Sequence, residues 1–223
     1  MKNALKLATL AVLAATASIG AHAAETADLA VKGTIRPSAC NVAISTGEIN
    51  LGTISAVTLS DTDATVLPSH NFSVTVTCDA ATQVGLKAID GRSGTIQENA
   101  RAALNTIASD SYGLGAVNGT NIGAYNVRRT GNPTADGSTV ALLISRNHGS
   151  TWVVHENNAP VRSWPTNSSL ISWGATDGTT PGSYSSITEQ FSLTPAIAPT
   201  SALPDLTNSI PLDGLATFEV RYL

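Results

Sequence analysis

The chain has few charged and few aromatic residues. Of its 223 residues, 13% are Asp, Glu, Lys or Arg and 4% are Phe, Trp or Tyr. A net charge of −4 with only 12 basic residues argues against a nucleic-acid-binding surface. Low charge combined with 42% hydrophobic residues also argues against a disordered acidic chain. We therefore expect a folded domain with no nucleic-acid partner.

Common catalytic and metal-binding motifs are missing as well. The sequence has no G-x-S-x-G nucleophile elbow, no H-E-x-x-H zinc motif and no P-loop. His148 and His155 flank Trp152 and suggest a metal or acid–base site, but side chains seven residues apart on a strand point to opposite faces. We therefore expect no enzyme, no metal and no cofactor.

Residues 1–23 have the pattern of a secretory signal peptide. Two lysines precede the apolar stretch Leu7–Ile19, and Ala21 and Ala23 occupy the two positions that signal peptidase selects. The apolar stretch is shorter than the roughly 20 residues that a transmembrane helix needs. We expect cleavage after Ala23 and export of the remaining chain.

Export determines how the two cysteines, Cys40 and Cys78, are interpreted. An oxidising compartment favours a disulfide between them. Closing a loop of this length would stabilise the fold by about 4 kcal/mol. A zinc site or a catalytic thiol lacks supporting histidines nearby. The sequence therefore predicts a Cys40–Cys78 disulfide.

Alternating apolar residues predict a series of short strands. In Phe72–Cys78 every second residue is apolar, and the pattern recurs in Val84–Ala88 and in the C-terminal segment Leu215–Leu223. Only Gln97–Leu104 has the pattern of a helix. Further strands are predicted at Val140–Ile144, where a continuous apolar run indicates burial on both faces, and at Thr151–His155 and Ile187–Leu193. Strands separated by Gly, Asn, Asp and Ser clusters predict one all-β sandwich domain.

The beginning of the exported chain also has strand periodicity. Ala27, Leu29 and Val31 alternate with Asp28, Ala30 and Lys32. Chain termini are usually poorly ordered, so a strand pattern before the first cysteine requires an explanation. By pattern alone, the segment also fits an ordinary first strand of the sandwich.

Taken together, these features resemble the subunits of chaperone–usher fimbriae. The signal peptide and the alternating N-terminal strand are followed by G-T-I-x-P-S-A-C-N at Gly33–Asn41 and by INLGTI at Ile49–Ile54. The second cysteine ends a strand, and Tyr222 is the penultimate residue. The resemblance covers about residues 1–90 and 205–223.

The resemblance implies an immunoglobulin-like, pilin-type sandwich over residues 37–223 that lacks its last strand. Residues 24–36 would form an N-terminal donor-strand extension. A periplasmic pilus chaperone would lend a strand to the apolar groove that is left open. At the outer-membrane usher, the extension of the neighbouring fimbrial subunit would replace that strand. Head-to-tail contacts would then extend into a fimbrium at the cell surface that contributes to adhesion.

The resemblance also assigns roles to individual residues. The donor side chains would be Ala27, Leu29 and Val31. Because many relatives have glycine where this chain has Ala27, the register of insertion stays open. The groove wall would include Ala216, Phe218 and Val220 of the last strand. The chaperone would contact Tyr222 and the terminal carboxylate of Leu223.

The tryptophans suggest a rival function. Trp152, Trp164 and Trp173 lie close together in sequence among Asn, Ser, Gly and Thr residues. A tryptophan with polar neighbours can stack on a sugar, although it more often covers the edge of a core. An exposed patch would bind surface glycans, either in a fimbrial subunit or in a secreted β-sandwich carbohydrate-binding module or adhesin that acts alone. A secreted hydrolase with scattered catalytic residues is a third hypothesis.

Overall fold

In a computed structural model of the chain, the described residues are 29–34, 38–155, 161 and 169–223. The chain divides into two units, Met1–Arg36 and Pro37–Leu223. The predicted signal peptide, Ala27 and Trp164 lie outside the described residues. Within the described part of the chain, no helix is long and apolar enough to cross a membrane.

The larger unit is built from antiparallel strands. In chain order the strands are β1 (Cys40–Ile44), β2 (Thr65–Val66), β3 (His70–Thr82), β4 (Val84–Asp90), β5 (Tyr112–Gly113), β6 (Ala116–Val117), β7 (Thr120–Asn121), β8 (Gly123–Arg129), β9 (Thr134–Ala135), β10 (Ser138–Thr139), β11 (Ala141–Ser145), β12 (Val153–Val154), β13 (Leu170–Gly174), β14 (Tyr184–Ile197) and β15 (Ala216–Tyr222). The helix α1 spans Glu98–Ala103, and short 3-10 helices span Ala56–Thr58, Ala108–Asp110 and Thr200–Ala202.

These strands form two main sheets. Sheet A has the order β1-β3-β14-β8-β5, with β2 and β9 also paired to β14 and β10 paired to β9. Sheet B has the order β12-β11-β13-β4-β15, and β6 and β7 form a separate hairpin. The first strand, β1, is therefore an edge strand of sheet A, and the last strand, β15, is an edge strand of sheet B.

The core lies between the two sheets because each contributes its alternate apolar residues. In sheet A, Phe72 on β3 and Phe191 on β14 are buried, and in sheet B, Phe218 on β15 is buried against them. The three ring centroids lie 5.5, 5.9 and 5.8 Å apart. These are all three phenylalanines of the chain, so the phenylalanine rings are concentrated in one cluster.

The predicted all-β sandwich is confirmed, and so are most of the predicted elements. Within the larger unit, the structure has a strand at each predicted strand segment, and α1 begins after Gln97, whose side chain accepts a hydrogen bond from the Ala100 N–H. Within the predicted strand Thr151–His155, the structure has the two-residue strand β12, which pairs with β11 at the edge of sheet B.

The predicted disulfide is also confirmed. Cys40 and Cys78 are directly opposite each other on β1 and β3 and are covalently joined. Just before β1, the Ser38 hydroxyl and the Ala39 N–H both donate to Asp79 Oδ1, at 2.7 and 2.8 Å. Both hydrogen bonds lower the pKa of Asp79, and the bond from Ser38 has the larger effect. The beginning of β1 is therefore fixed to β3 by covalent and polar contacts.

Candidate functional site

The two edge strands β1 and β15 approach each other at one end. The backbone N–H of Cys40, where β1 begins, donates to Tyr222 Oη, where β15 ends, at 2.8 Å. In the described part of the chain, β1 pairs only with β3 and β15 pairs only with β4. Each strand therefore has one edge without a strand partner among the described residues, and the two open edges lie on the same side of the sandwich.

Away from this contact, a groove of about 830 Å³ opens between the sheets. Its two walls are the segment 44–54, which includes the end of β1, and the connection 206–215 with the first residues of β15. Its floor consists of core residues of sheet A, among them Phe72, Val127, Leu193 and Ile197. The groove therefore reaches the interior of the sandwich.

The groove is mostly apolar, and several of its apolar side chains are partly exposed to solvent. Ile44 and Leu206 are each 39% exposed, and Leu215 is 46% exposed. Glu48 and Asp213 are the charged residues among those that line it. An apolar groove of this kind binds an apolar ligand or segment better than a charged one.

A salt bridge fixes one rim of the groove. Arg92 donates from Nε to Asp213 Oδ2 at 2.9 Å and from an Nη to Asp213 Oδ1 at 2.7 Å. The Asp213 N–H in turn donates to the Leu114 carbonyl at 3.0 Å. The hydrogen bonds from Arg92 lower the pKa of Asp213, so its carboxylate stays charged and paired at neutral pH. This pairing holds the connection that precedes β15 in place.

Two of the predicted groove-wall residues line the groove and the third does not. Ala216 and Phe218, in the first half of β15, both line it. Val220 lies further along the strand, where it is half-buried and packs against the core. The groove is therefore open beside the first half of β15 and closed beside the second half.

The predicted donor residues lie in the smaller unit. Leu29 and Val31 are 89% and 90% exposed, and residues 29–34 form no strand. Burying either side chain would contribute about 1.5–3 kcal/mol. Two large apolar side chains on a terminal segment are thus left in water, and their role as donors stays a prediction.

The predicted chaperone-contact residues lie at the closed end of the groove. Tyr222 is 56% exposed, although its hydroxyl accepts the hydrogen bond from Cys40. Leu223 is partly exposed, and its N–H donates to the Gln83 carbonyl at 3.2 Å. Both residues are accessible from solvent.

The hypothesis of an exposed tryptophan patch is wrong for Trp173. This residue is buried on β13 between the sheets, and its Nε1 donates to Glu189 Oε2 at 3.2 Å. A ring in this position cannot stack on a sugar. Trp152 is half-buried just before β12, and Trp164 lies outside the described residues. The structure therefore does not bring the three rings together as an exposed patch.

A buried ion pair beside Trp173 was not predicted from the sequence. Glu189 on β14 and Arg129 on β8 are both buried, with Nε and Oε1 3.4 Å apart. Arg129 also donates to the His155 carbonyl at 2.7 Å. Burial raises the pKa of Glu189 to about 7, although Arg129 and the Trp173 hydrogen bond act in the opposite direction. The pair and Trp173 together connect sheet A to sheet B.

Neither of the two histidines considered in the sequence belongs to a metal-binding group among the described residues. His148 is exposed in a turn and His155 is half-buried. Among residues 29–34, 38–155, 161 and 169–223, no group of three or more His, Cys, Asp or Glu side chains could hold a metal ion. The apolar groove is therefore the strongest candidate for a functional site.

Residues 29–126 match a protein family of unknown function, DUF1120. The matched segment includes Leu29, Val31, both cysteines and strands β1 to β7, but it ends before β15. No curated protein matches the chain. The family description names no activity or partner, so the function must be inferred from the groove and its two edge strands.

Proposed function

We propose that the protein is a structural subunit of a cell-surface fimbria, assembled by the chaperone–usher route through donor-strand exchange. The observation that carries this proposal is the mostly apolar groove of about 830 Å³ that opens beside the end of the edge strand β1 and the beginning of the edge strand β15. In the proposed assembly, a β-strand from another molecule fills the groove and completes the sandwich.

An open groove between two edge strands favours a strand as its occupant. The outer edges of β1 and β15 present backbone N–H and C=O groups of the kind that bind an added strand. An inserted strand would pair with these groups and place alternate side chains on the apolar floor. A small molecule would cover the floor but would leave most of the backbone groups without partners.

The N-terminal segment of a second copy has the side chains that this groove requires. Leu29 and Val31 are exposed, and they alternate with residues that would face away from the groove. Each new backbone hydrogen bond would add about 0.5–1.5 kcal/mol to the burial of the two side chains. Because the donor segment and the groove are different parts of the chain, the contact is heterologous and propagates into a fibre.

Such an assembly needs temporary protection of the groove before polymerisation. A periplasmic pilus chaperone would supply the first strand and contact Tyr222 and Leu223, and an outer-membrane usher would catalyse the exchange. The exposure of both C-terminal residues is compatible with this contact. The protein would pass through the periplasm and end in a fimbrium at the cell surface.

A solitary carbohydrate-binding module is the alternative function, and the structure offers less for it. Its main support was the cluster of three tryptophans, of which Trp173 is buried with its N–H bound to Glu189. The burial of Trp173 therefore excludes a glycan site built from all three tryptophan rings.

The proposal is tested with a charge placed on either face of the donor segment. We expect the wild-type protein to give a ladder of SDS-resistant oligomers on a gel without boiling. Leu29→Asp should abolish this ladder, because a carboxylate would enter the apolar groove. Ala30→Asp is the matched control, since it adds the same charge one residue later on the opposite face of the strand. It should preserve the ladder. A Leu29→Asp protein that polymerises like the wild type would show that the donor assignment is wrong.

A further inference from the structure

The open edge of β1 has one backbone group that is already bound. In an antiparallel pair, residues alternate between positions that hydrogen-bond to the partner strand and positions whose N–H and C=O point away. Cys40 and Cys78 are opposite each other, and the flanking Asp79 N–H donates to the Ala39 carbonyl at 3.0 Å. The Cys40 N–H therefore points away from β3, toward the open edge, where it donates to Tyr222 Oη.

This hydrogen bond lies at the end where the groove is closed. Ala216 and Phe218 line the groove, whereas Val220 and Tyr222, further along β15, do not. Tyr222 is the last residue of β15, and its hydroxyl is hydrogen-bonded to Cys40, the first residue of β1. Cys40 cannot shift easily to follow it, since the disulfide and the Ser38–Asp79 hydrogen bond hold this part of the chain against β3.

We infer that the Tyr222 hydroxyl takes the place of a donor-strand carbonyl at the Cys40 N–H and keeps this end of the groove closed until a strand is inserted. The inference rests on the proposed function. A strand that pairs with the whole of β1 needs the Cys40 N–H, so the hydroxyl must leave that position during insertion. The hydroxyl and the incoming strand therefore compete for the Cys40 N–H. Tyr222 thus has a role within the subunit in addition to its proposed contact with the chaperone.

The effect of this competition on the affinity for an inserted strand is set by the single hydrogen bond that is exchanged. A neutral hydrogen bond of this kind changes an equilibrium by about two- to tenfold. Removing the hydroxyl while keeping the ring should therefore strengthen strand binding by about that factor. The aromatic ring would still cover the same surface, so the fold should be retained.

The test uses Tyr222→Phe, with Tyr184→Phe as the matched control. Tyr184 is half-buried on β14, in the interior of sheet A, so its hydroxyl is not at either open edge. All proteins carry Leu29→Asp, which prevents neighbouring copies from competing for the groove. A fluorescent peptide of residues 24–34 with the native sequence reports strand binding by anisotropy, and NMR reports hydrogen exchange at the Cys40 amide.

We expect Tyr222→Phe to bind the peptide about two- to tenfold more tightly and to exchange the Cys40 amide faster in the absence of peptide. Tyr184→Phe should match the parent protein in both measurements. Unchanged or weaker peptide binding by Tyr222→Phe overturns the inference while leaving the proposed function intact. If the parent protein and both variants all fail to bind the peptide, the proposed function and this inference fail together, whatever the amide exchange shows.

Discussion

The two sides of the sandwich differ in how completely they are packed. Around Trp173 the sheets are joined by a buried ring, its hydrogen bond to Glu189 and the ion pair with Arg129. Beside the end of β1 and the beginning of β15, a mostly apolar groove with partly exposed rims opens between the same two sheets. The difference indicates that the missing packing is local to one side of the sandwich.

The largest expected effect comes from truncating the packed side. Trp173→Ala should lower the free energy of unfolding by about 3–5 kcal/mol, because it removes a fully buried ring and leaves a Glu189 oxygen without its donor. Urea unfolding followed by far-UV circular dichroism measures the change. A loss below about 1 kcal/mol would contradict the assignment of Trp173 to a tightly packed core.

The pH dependence of stability provides a second and somewhat smaller test of the packed side. The pKa of Glu189 is about 7 in the folded protein and 4.5 for an ordinary glutamate, so the folded state holds the proton more tightly. Its contribution to stability is therefore fully present below about pH 4.5 and is lost as the pH rises through about 7. The whole change amounts to about 3 kcal/mol at most.

We expect Glu189→Gln to remove this part of the pH dependence, as measured by urea unfolding at several pH values between 4 and 8. Glu219→Gln on β15 is the matched control, because Glu219 is only half-buried at the sheet edge. It should retain the wild-type dependence. Identical pH profiles for the wild type and Glu189→Gln would argue that Glu189 is solvated in the folded protein.

The smallest effect on stability is expected at the groove. Ile44→Ala truncates a rim side chain that is 39% exposed, and we expect it to cost about 1 kcal/mol or less. The same urea experiment allows a direct comparison with Trp173→Ala. If the two truncations cost equal amounts, the groove is as well packed as the rest of the core and the contrast between the two sides disappears.

Strands with one buried face could be predicted from the sequence. The segments around Phe72 and Phe191 alternate apolar and polar residues, and both lie in strands whose alternate side chains face the core. By contrast, β8 was not predicted. Its sequence GAYNVRR mixes polar and apolar residues without alternation, and almost all of it is buried because other segments cover both of its faces.

The buried ion pair had a weak signal in the sequence. Within the predicted strand Ile187–Leu193, Glu189 has the same parity as Ile187 and Phe191, which indicates an inward-facing carboxylate. Nothing near it in sequence identifies Arg129 as its partner, since the two residues are 60 positions apart. Parity could therefore predict the burial of Glu189 but not the residue that compensates its charge.

The amino-acid sequence by itself determined the β-sandwich class, the disulfide and the alternation of Leu29 and Val31, because periodicity and cysteine pairing are local or pairwise properties. Only the tertiary structure decided that β1 and β15 end different sheets on the same side, that Trp173 is buried, and that Tyr222 reaches the Cys40 N–H. These features depend on how distant strands are ordered within the sheets. A groove forms where distant segments do not pack against each other. The absence of such packing leaves no periodic pattern in a sequence.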